Sequence, residues 1–132
     1  MPQPDPILEG IQSGWNATDA SKLEKDDTIE CDVAIVGTGA GGGTAAEVLS
    51  QAGLSVVLLE EGPLKTSTNF NLREKDAYRE LYREGFTSFN KDRSIAILQG
   101  RCVGGSTVVN WTSSFPTPEL TLKHWVDTHG LK

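Results

Sequence analysis

Apolar and polar positions alternate along this chain with changing period, and the changes mark out elements. "CDVAIVG" (31–37) is a short apolar run that reads as a buried strand. "GAGGGTAAEVLSQAG" (39–53) reads as a helix with a glycine-rich opening, packing through Ala45, Ala46, Val48, Leu49 and Ala52. "LSVVLLEEG" (54–62) is apolar nearly throughout, as in a parallel strand covered on both faces. Strand, helix and strand within about 30 residues form a βαβ unit. "LREKDAYRELYREGF" (72–86) predicts a helix with an incomplete apolar stripe of Leu72, Tyr78, Leu81 and Tyr82 and a solvated basic face. "SIAILQG" (94–100) predicts a third short strand or an extended segment. "TPELTLKHWVDTHG" (117–130) predicts a last helix, with Thr117 as N-cap, Pro118 at the first helical position and Gly130 at its end. Residues 1–29 are polar and proline-punctuated, an arm or linker in which Ile7, Leu8, Ile11 and Trp15 have helix-like spacing.

Gly37, Gly39 and Gly42 fit GxGxxG, between the first strand and the helix, and Ala40 and Gly41 lie inside the motif. A tight turn needs Gly37, close approach of backbone to a pyrophosphate needs Gly39, and close packing of helix on strand needs Gly42. The helix N-terminus then directs N–H groups and partial positive charge at that pyrophosphate. Glu60 ends the second strand, 18 residues after Gly42, where an acid can accept hydrogen bonds from an adenosine ribose and repels a 2′-phosphate, which argues against NADP. Glu61 is the competing acid, and alternation points it to the other face. The fold class is therefore α/β, a Rossmann-like βαβ dinucleotide-binding domain that is incomplete in this chain. The fingerprint alone does not separate NAD from FAD.

Composition adds exclusions. With 132 residues the chain has room for one domain. Twelve basic against eighteen acidic residues leave a net charge of −6, which argues against nucleic acid or an anionic membrane surface as partner. No apolar run approaches the roughly 20 residues of a membrane span, and the N-terminus lacks the pattern of a signal peptide. Cys31 and Cys102 have no metal-ligand spacing and read as small packed residues. These features together point to the cytoplasm.

A second glycine cluster, "GRCVGGSTVVNW" (100–111), places Gly104, Gly105, Ser106 and Thr107 in an anion-friendly loop with Arg101 just before it. By itself it reads equally as a glycine turn capping a helix. Taken with the first motif, it resembles the glucose–methanol–choline (GMC) family of FAD-dependent oxidoreductases, whose signature G-R-x-x-G-G-[ST]-[ST]-x-x-N is met by Gly100, Arg101, Gly104, Gly105, Ser106, Thr107 and Asn110. The resemblance covers about residues 30–130. The continuation "NWTSSFPTPELTLKHW" is similar to the branch containing long-chain alcohol oxidases. It departs from the commoner family form at Ser114, where an aromatic is usual.

The resemblance implies that residues 30–132 are the N-terminal part of an FAD-binding domain, and that an alcohol is oxidised by hydride transfer to flavin. It implies noncovalent FAD, because Val109 stands where some members carry the histidine that bonds the flavin. It puts Asn110 and Trp111 near the isoalloxazine, although Trp111 reads equally as core packing. The family's general-base histidine and substrate domain have no counterpart here. His124 and His129 fall on the predicted last helix and read as surface or helix-end residues, so no catalytic residue and no metal site is assigned. The electron acceptor is undefined. Two other readings stay open: a truncated, non-catalytic dinucleotide-binding module, and an NAD-dependent Rossmann enzyme.

Overall fold

The computed structural model describes residues 4–132; the first three residues of the predicted arm lie outside the described residues. Helix α1 (Pro6–Gln12) opens the described chain, with Pro6 in its first turn and Asp5 as N-cap, its Oδ1 accepting the Leu8 N–H at 3.0 Å. The arm is thus partly helical. A 3-10 turn at Ala20–Lys22 leads on to β1 (Val33–Val36), α2 (Ala40–Gln51) and β2 (Val56–Leu59). The two strands are parallel, with Val33 opposite Val56 and Val36 opposite Leu59. The Gly37 N–H extends the ladder by donating to the Leu59 carbonyl at 2.7 Å. At the other end, the Asp32 carboxylate accepts the Ser55 N–H at 2.8 Å.

Helix α2 lies against both strands, which completes the βαβ unit. Its packing face is narrower than the apolar pattern predicts. Ala45, Ala46 and Leu49 are half-buried, whereas Val48 and Ala52 are exposed. The sheet beneath is only two strands wide among the described residues, so the rest of the stripe has nothing to cover it. For the same reason Val36 is 87% exposed.

Helix α3 (Glu74–Leu81) is shorter than the predicted 72–86. Tyr82 is extended, and Glu84 and Gly85 are left-handed within a 3-10 stretch, Arg83–Phe86. Backbone pairing across the chain captures this end: the Arg83 N–H donates to the Gln99 carbonyl at 2.9 Å and the Arg101 N–H to the Leu81 carbonyl at 2.7 Å. The stripe loses Leu72, which is 99% exposed at φ 57° before the helix begins. The 94–100 segment is extended, held by isolated antiparallel bridges from Tyr82 to Gly100 and from Phe89 to Ala96.

The buried core lies where α3 meets this returning segment. Leu81, Tyr82 and Cys102 are buried, with Ala77, Tyr78, Phe86 and Val109 packed around them. Tyr78 stacks on Phe86 with ring centroids 4.4 Å apart, and Tyr82 meets both rings edge-on. Cys102 is 1% exposed, Cys31 is half-buried, and both are free thiols.

A 3-10 turn at Gly105–Thr107 follows, then α4 (Glu119–His129). Pro118, not Thr117, is the N-cap of α4; its ψ of 140° is extended, and its carbonyl accepts the N–H groups of Thr121 and Leu122. Gly130 closes the helix at φ 65°, a left-handed conformation that glycine adopts without strain. No helix among the described residues is long and apolar enough to cross a membrane.

Candidate dinucleotide-binding site

The first glycine motif forms the turn from β1 into α2. Gly37 sits at φ 93°, the left-handed region in which a Cβ is strained. Gly39 is the N-cap of α2 and supplies no side-chain cap, so the N–H groups of the first turn are left for an outside acceptor. A Cβ placed on Gly39 or Gly41 would meet no atom within 4 Å, so the space over this turn is open. A Cβ on Gly42 would collide with the Gly37 carbonyl oxygen and touch Ile35, which is the close packing expected of it. Ala40 begins the helix and is exposed.

Glu60 turns back onto this loop from the end of β2. Its Oε2 accepts the Thr38 N–H at 2.9 Å and the Thr38 hydroxyl at 2.7 Å, and its Oε1 accepts the Gly62 N–H at 3.0 Å. Burial pushes the Glu60 carboxyl up, but the donors from Thr38, Gly62 and Glu61 outweigh it and hold the group below the ordinary glutamate value. Glu61 pairs instead with Arg83. Of the two acids, the structure brings Glu60 to the glycine turn.

The second glycine cluster arrives at the same place. The Gly104 N–H donates to the Thr38 hydroxyl oxygen at 2.9 Å. Gly105, at φ 57°, lies so close that a Cβ on it would stand 3.0 Å from the Gly39 Cα. The loop is tied to the segment that follows β2 by the Val103 N–H donating to the Pro63 carbonyl at 3.1 Å, and a Cβ on Gly62 would collide with the Arg101 carbonyl. Ser106 closes the loop on itself, its Oγ accepting the Gly100 N–H at 3.0 Å, and the Thr107 hydroxyl donates to the Gly104 carbonyl. Arg101 presents an exposed side chain. Asn110 is engaged in a turn, donating to the Thr107 carbonyl and accepting the Thr112 N–H at 2.7 Å. Trp111 is 77% exposed and is no part of the core. Val109 is packed against the core, and its carbonyl accepts the Tyr82 hydroxyl at 3.2 Å.

Thr38 is the residue that sequence reasoning missed. It occupies a variable position of GxGxxG, where the pattern assigns no role to a side chain. Gly62 and Gly100 are further close contacts of the second loop; a Cβ on Gly100 would press on Gly105 and Ser106. His124 and His129 lie on α4, exposed, with the Thr128 hydroxyl 3.1 Å from the His124 Nδ1.

Comparison with known proteins divides the chain at the same two motifs. Residues 35–73 match the NAD(P)-binding Rossmann-like domain, and residues 78–132 match the GMC oxidoreductase model. The chain belongs to the GMC oxidoreductase family. A long-chain-alcohol oxidase of Arabidopsis thaliana is 38% identical over 104 residues, which is 79% of this chain and 14% of that relative. A second from the same plant is 39% identical over 103 residues, 78% of this chain and 14% of the relative. An uncharacterized GMC-type oxidoreductase of Mycobacterium tuberculosis is 40% identical over 102 residues, 76% of this chain and 16% of the relative. The GMC chain described here therefore spans about one seventh of the length of the curated relatives it matches. No solved structure matches it. Within this GMC segment, the Rossmann-like match carries the first glycine turn and Glu60, and the GMC match carries the second glycine loop.

Proposed function

We propose that this chain is the FAD-binding portion of a GMC oxidoreductase that oxidises an alcohol CH–OH group by hydride transfer to flavin. The observation that carries the reading is the convergence of both glycine loops and Glu60 on the open N-terminus of α2. A single Rossmann turn would suit any dinucleotide. The second loop, abutting the first at Gly39, favours the flavin form over an NAD enzyme.

In this reading the turn Gly37–Gly42 receives the pyrophosphate on backbone N–H groups, and Glu60 accepts a ribose hydroxyl. Gly104, Gly105, Ser106 and Thr107 bound the other side of that cradle, with Arg101, Asn110 and Trp111 further out. Open space at Gly39 and Gly41 and the uncapped first turn of α2 fit such a ligand. Bound flavin supplies the hydride acceptor. The residues of this chain bind and orient it; Val109 offers no nucleophile for covalent attachment, so the FAD is held noncovalently. The names of the plant relatives favour a long-chain alcohol as substrate. The general base is not assigned to His124 or His129, since neither is joined to the site.

The test is titration of the purified chain with FAD, followed by quenching of flavin fluorescence. Gly39→Val is expected to abolish binding by filling the open space over the turn. Glu60→Gln should weaken it by roughly tenfold to a hundredfold, the worth of a charge-assisted hydrogen bond. Stoichiometric flavin in Gly39→Val would sink the site assignment, and preferential binding of NADH would sink the flavin reading.

A further inference from the structure

The hydroxyl of Thr38 sits between two groups that cannot exchange roles. The Gly104 N–H can only donate, and it does so to Thr38 Oγ1 at 2.9 Å. The ionised Glu60 carboxylate can only accept, and its Oε2 takes the Thr38 hydroxyl proton at 2.7 Å. The direction of the chain is therefore set: Gly104 N–H to Thr38 O–H to Glu60 carboxylate. Each bond polarises the next. The Thr38 N–H also donates to Oε2, so this one residue holds the carboxylate oxygen twice. Thr38 and Glu60 are 22 positions apart, and Thr38 and Gly104 are 66 apart, so the relay joins the turn that follows β1, the residue that follows β2 and the returning loop.

We propose that Thr38 is a positioning residue whose hydroxyl couples the Glu60 carboxylate to the second glycine loop, so that the acid and the loop hold their places together. The consequence for dinucleotide binding rests on the functional reading above; the coupling itself does not. A ligand hydroxyl that draws on Glu60 is then felt at Gly104 through one side chain. Serine would preserve the relay. Valine, similar in shape, would cut it.

The test is amide hydrogen exchange by NMR on the unliganded full chain, paired with FAD titration. Thr38→Val should speed exchange at Gly104 by roughly tenfold, the scale of one lost hydrogen bond, while the Gly37 amide on the strand ladder is unchanged. Thr38→Ser should restore the wild-type rate. Glu60→Gln, which leaves Thr38 in place, should also speed Gly104, and it decides the matter if the valine variant does not fold. In FAD titrations Thr38→Val should weaken binding, and the loss should shrink when Glu60→Gln is already present. Unchanged Gly104 exchange in the variants overturns the coupling, even if wild-type FAD binding is tight. The predicted exchange pattern in a chain that binds no FAD would uphold the coupling and overturn the flavin reading instead.

Discussion

The Gly37 carbonyl oxygen occupies the space in which a Cβ on Gly42 would stand. The lack of a side chain at Gly42 lets α2 start this close to the turn out of β1. Gly42→Ala is expected to cost about 1–3 kcal/mol, because backbone rather than a movable side chain must yield. Gly41→Ala, one residue earlier in the same helix and facing open space, should leave stability unchanged or raise it by up to about 1 kcal/mol. Urea denaturation of the two variants checks the contrast.

Glu60 predicts an acid-sensitive contribution to stability. Its folded pKa lies below the ordinary glutamate value, so the folded state binds the proton less tightly than the unfolded chain does. The contribution is present above the unfolded pKa and is lost as pH falls through the lower folded value. The difference in melting temperature between wild type and Glu60→Gln should shrink between about pH 6 and pH 3. A difference that is constant over this range would show that the carboxylate is not stabilised by Thr38 and Gly62.

Gly62 lies under the backbone of Arg101 and Cys102, and a Cβ there would collide with both. Gly62→Ala should push the second glycine loop away from β2 and uncover the Cys102 thiol. In the wild type, burial and then the charge of Glu60 push that thiol up, so it is both covered and poorly ionised. Titration with a chromogenic disulfide should show Cys31 reacting first, and Cys102 reacting roughly tenfold faster in Gly62→Ala than in wild type.

Asp5 joins the arm to the body of the chain. Besides capping α1, its Oδ2 accepts the Thr68 N–H at 3.1 Å, and hydrogen bonding led by the Thr66 hydroxyl holds its carboxyl below the ordinary aspartate value. Asp5→Ala removes the cap and the tether together. Limited trypsin digestion should then cut at Lys22 and Lys25 faster than in wild type. Equal cleavage rates would show that the arm is held by other contacts.

The elements that were legible in the sequence are those whose signals are local. The period of 31–62 marks β1, α2 and β2, and GxGxxG marks a turn that only glycine can make at Gly37. Gly130 was legible for the same reason. The apolar stripe of α3 continues through Tyr82 and predicts a longer helix, whereas its last turn is taken by backbone pairing with Gln99 and Arg101. The apolar pattern of α2 predicts a wider packing face than the fold uses, because apolar character does not by itself bring burial; Val48 is 60% exposed. Threonine is a common N-cap and the sequence predicts Thr117 in that role, but the extended backbone of Pro118 places the boundary one residue later.

The sequence by itself determined the βαβ unit and the glycine turn, and it marked Glu60 and Glu61 as the two acids at the end of β2, because strand alternation and left-handed backbone are properties of neighbouring residues. Only the tertiary structure decided that the two glycine loops meet, that Thr38 joins them to Glu60, and that the buried core lies around Tyr82 and Cys102. Those contacts depend on where a chain returns after tens of residues, and the hydrogen bond from Gly104 to Thr38 spans 66 positions. No local period records such a return, and a hydroxyl at a variable motif position acquires its role only from the donor and acceptor that folding brings to it.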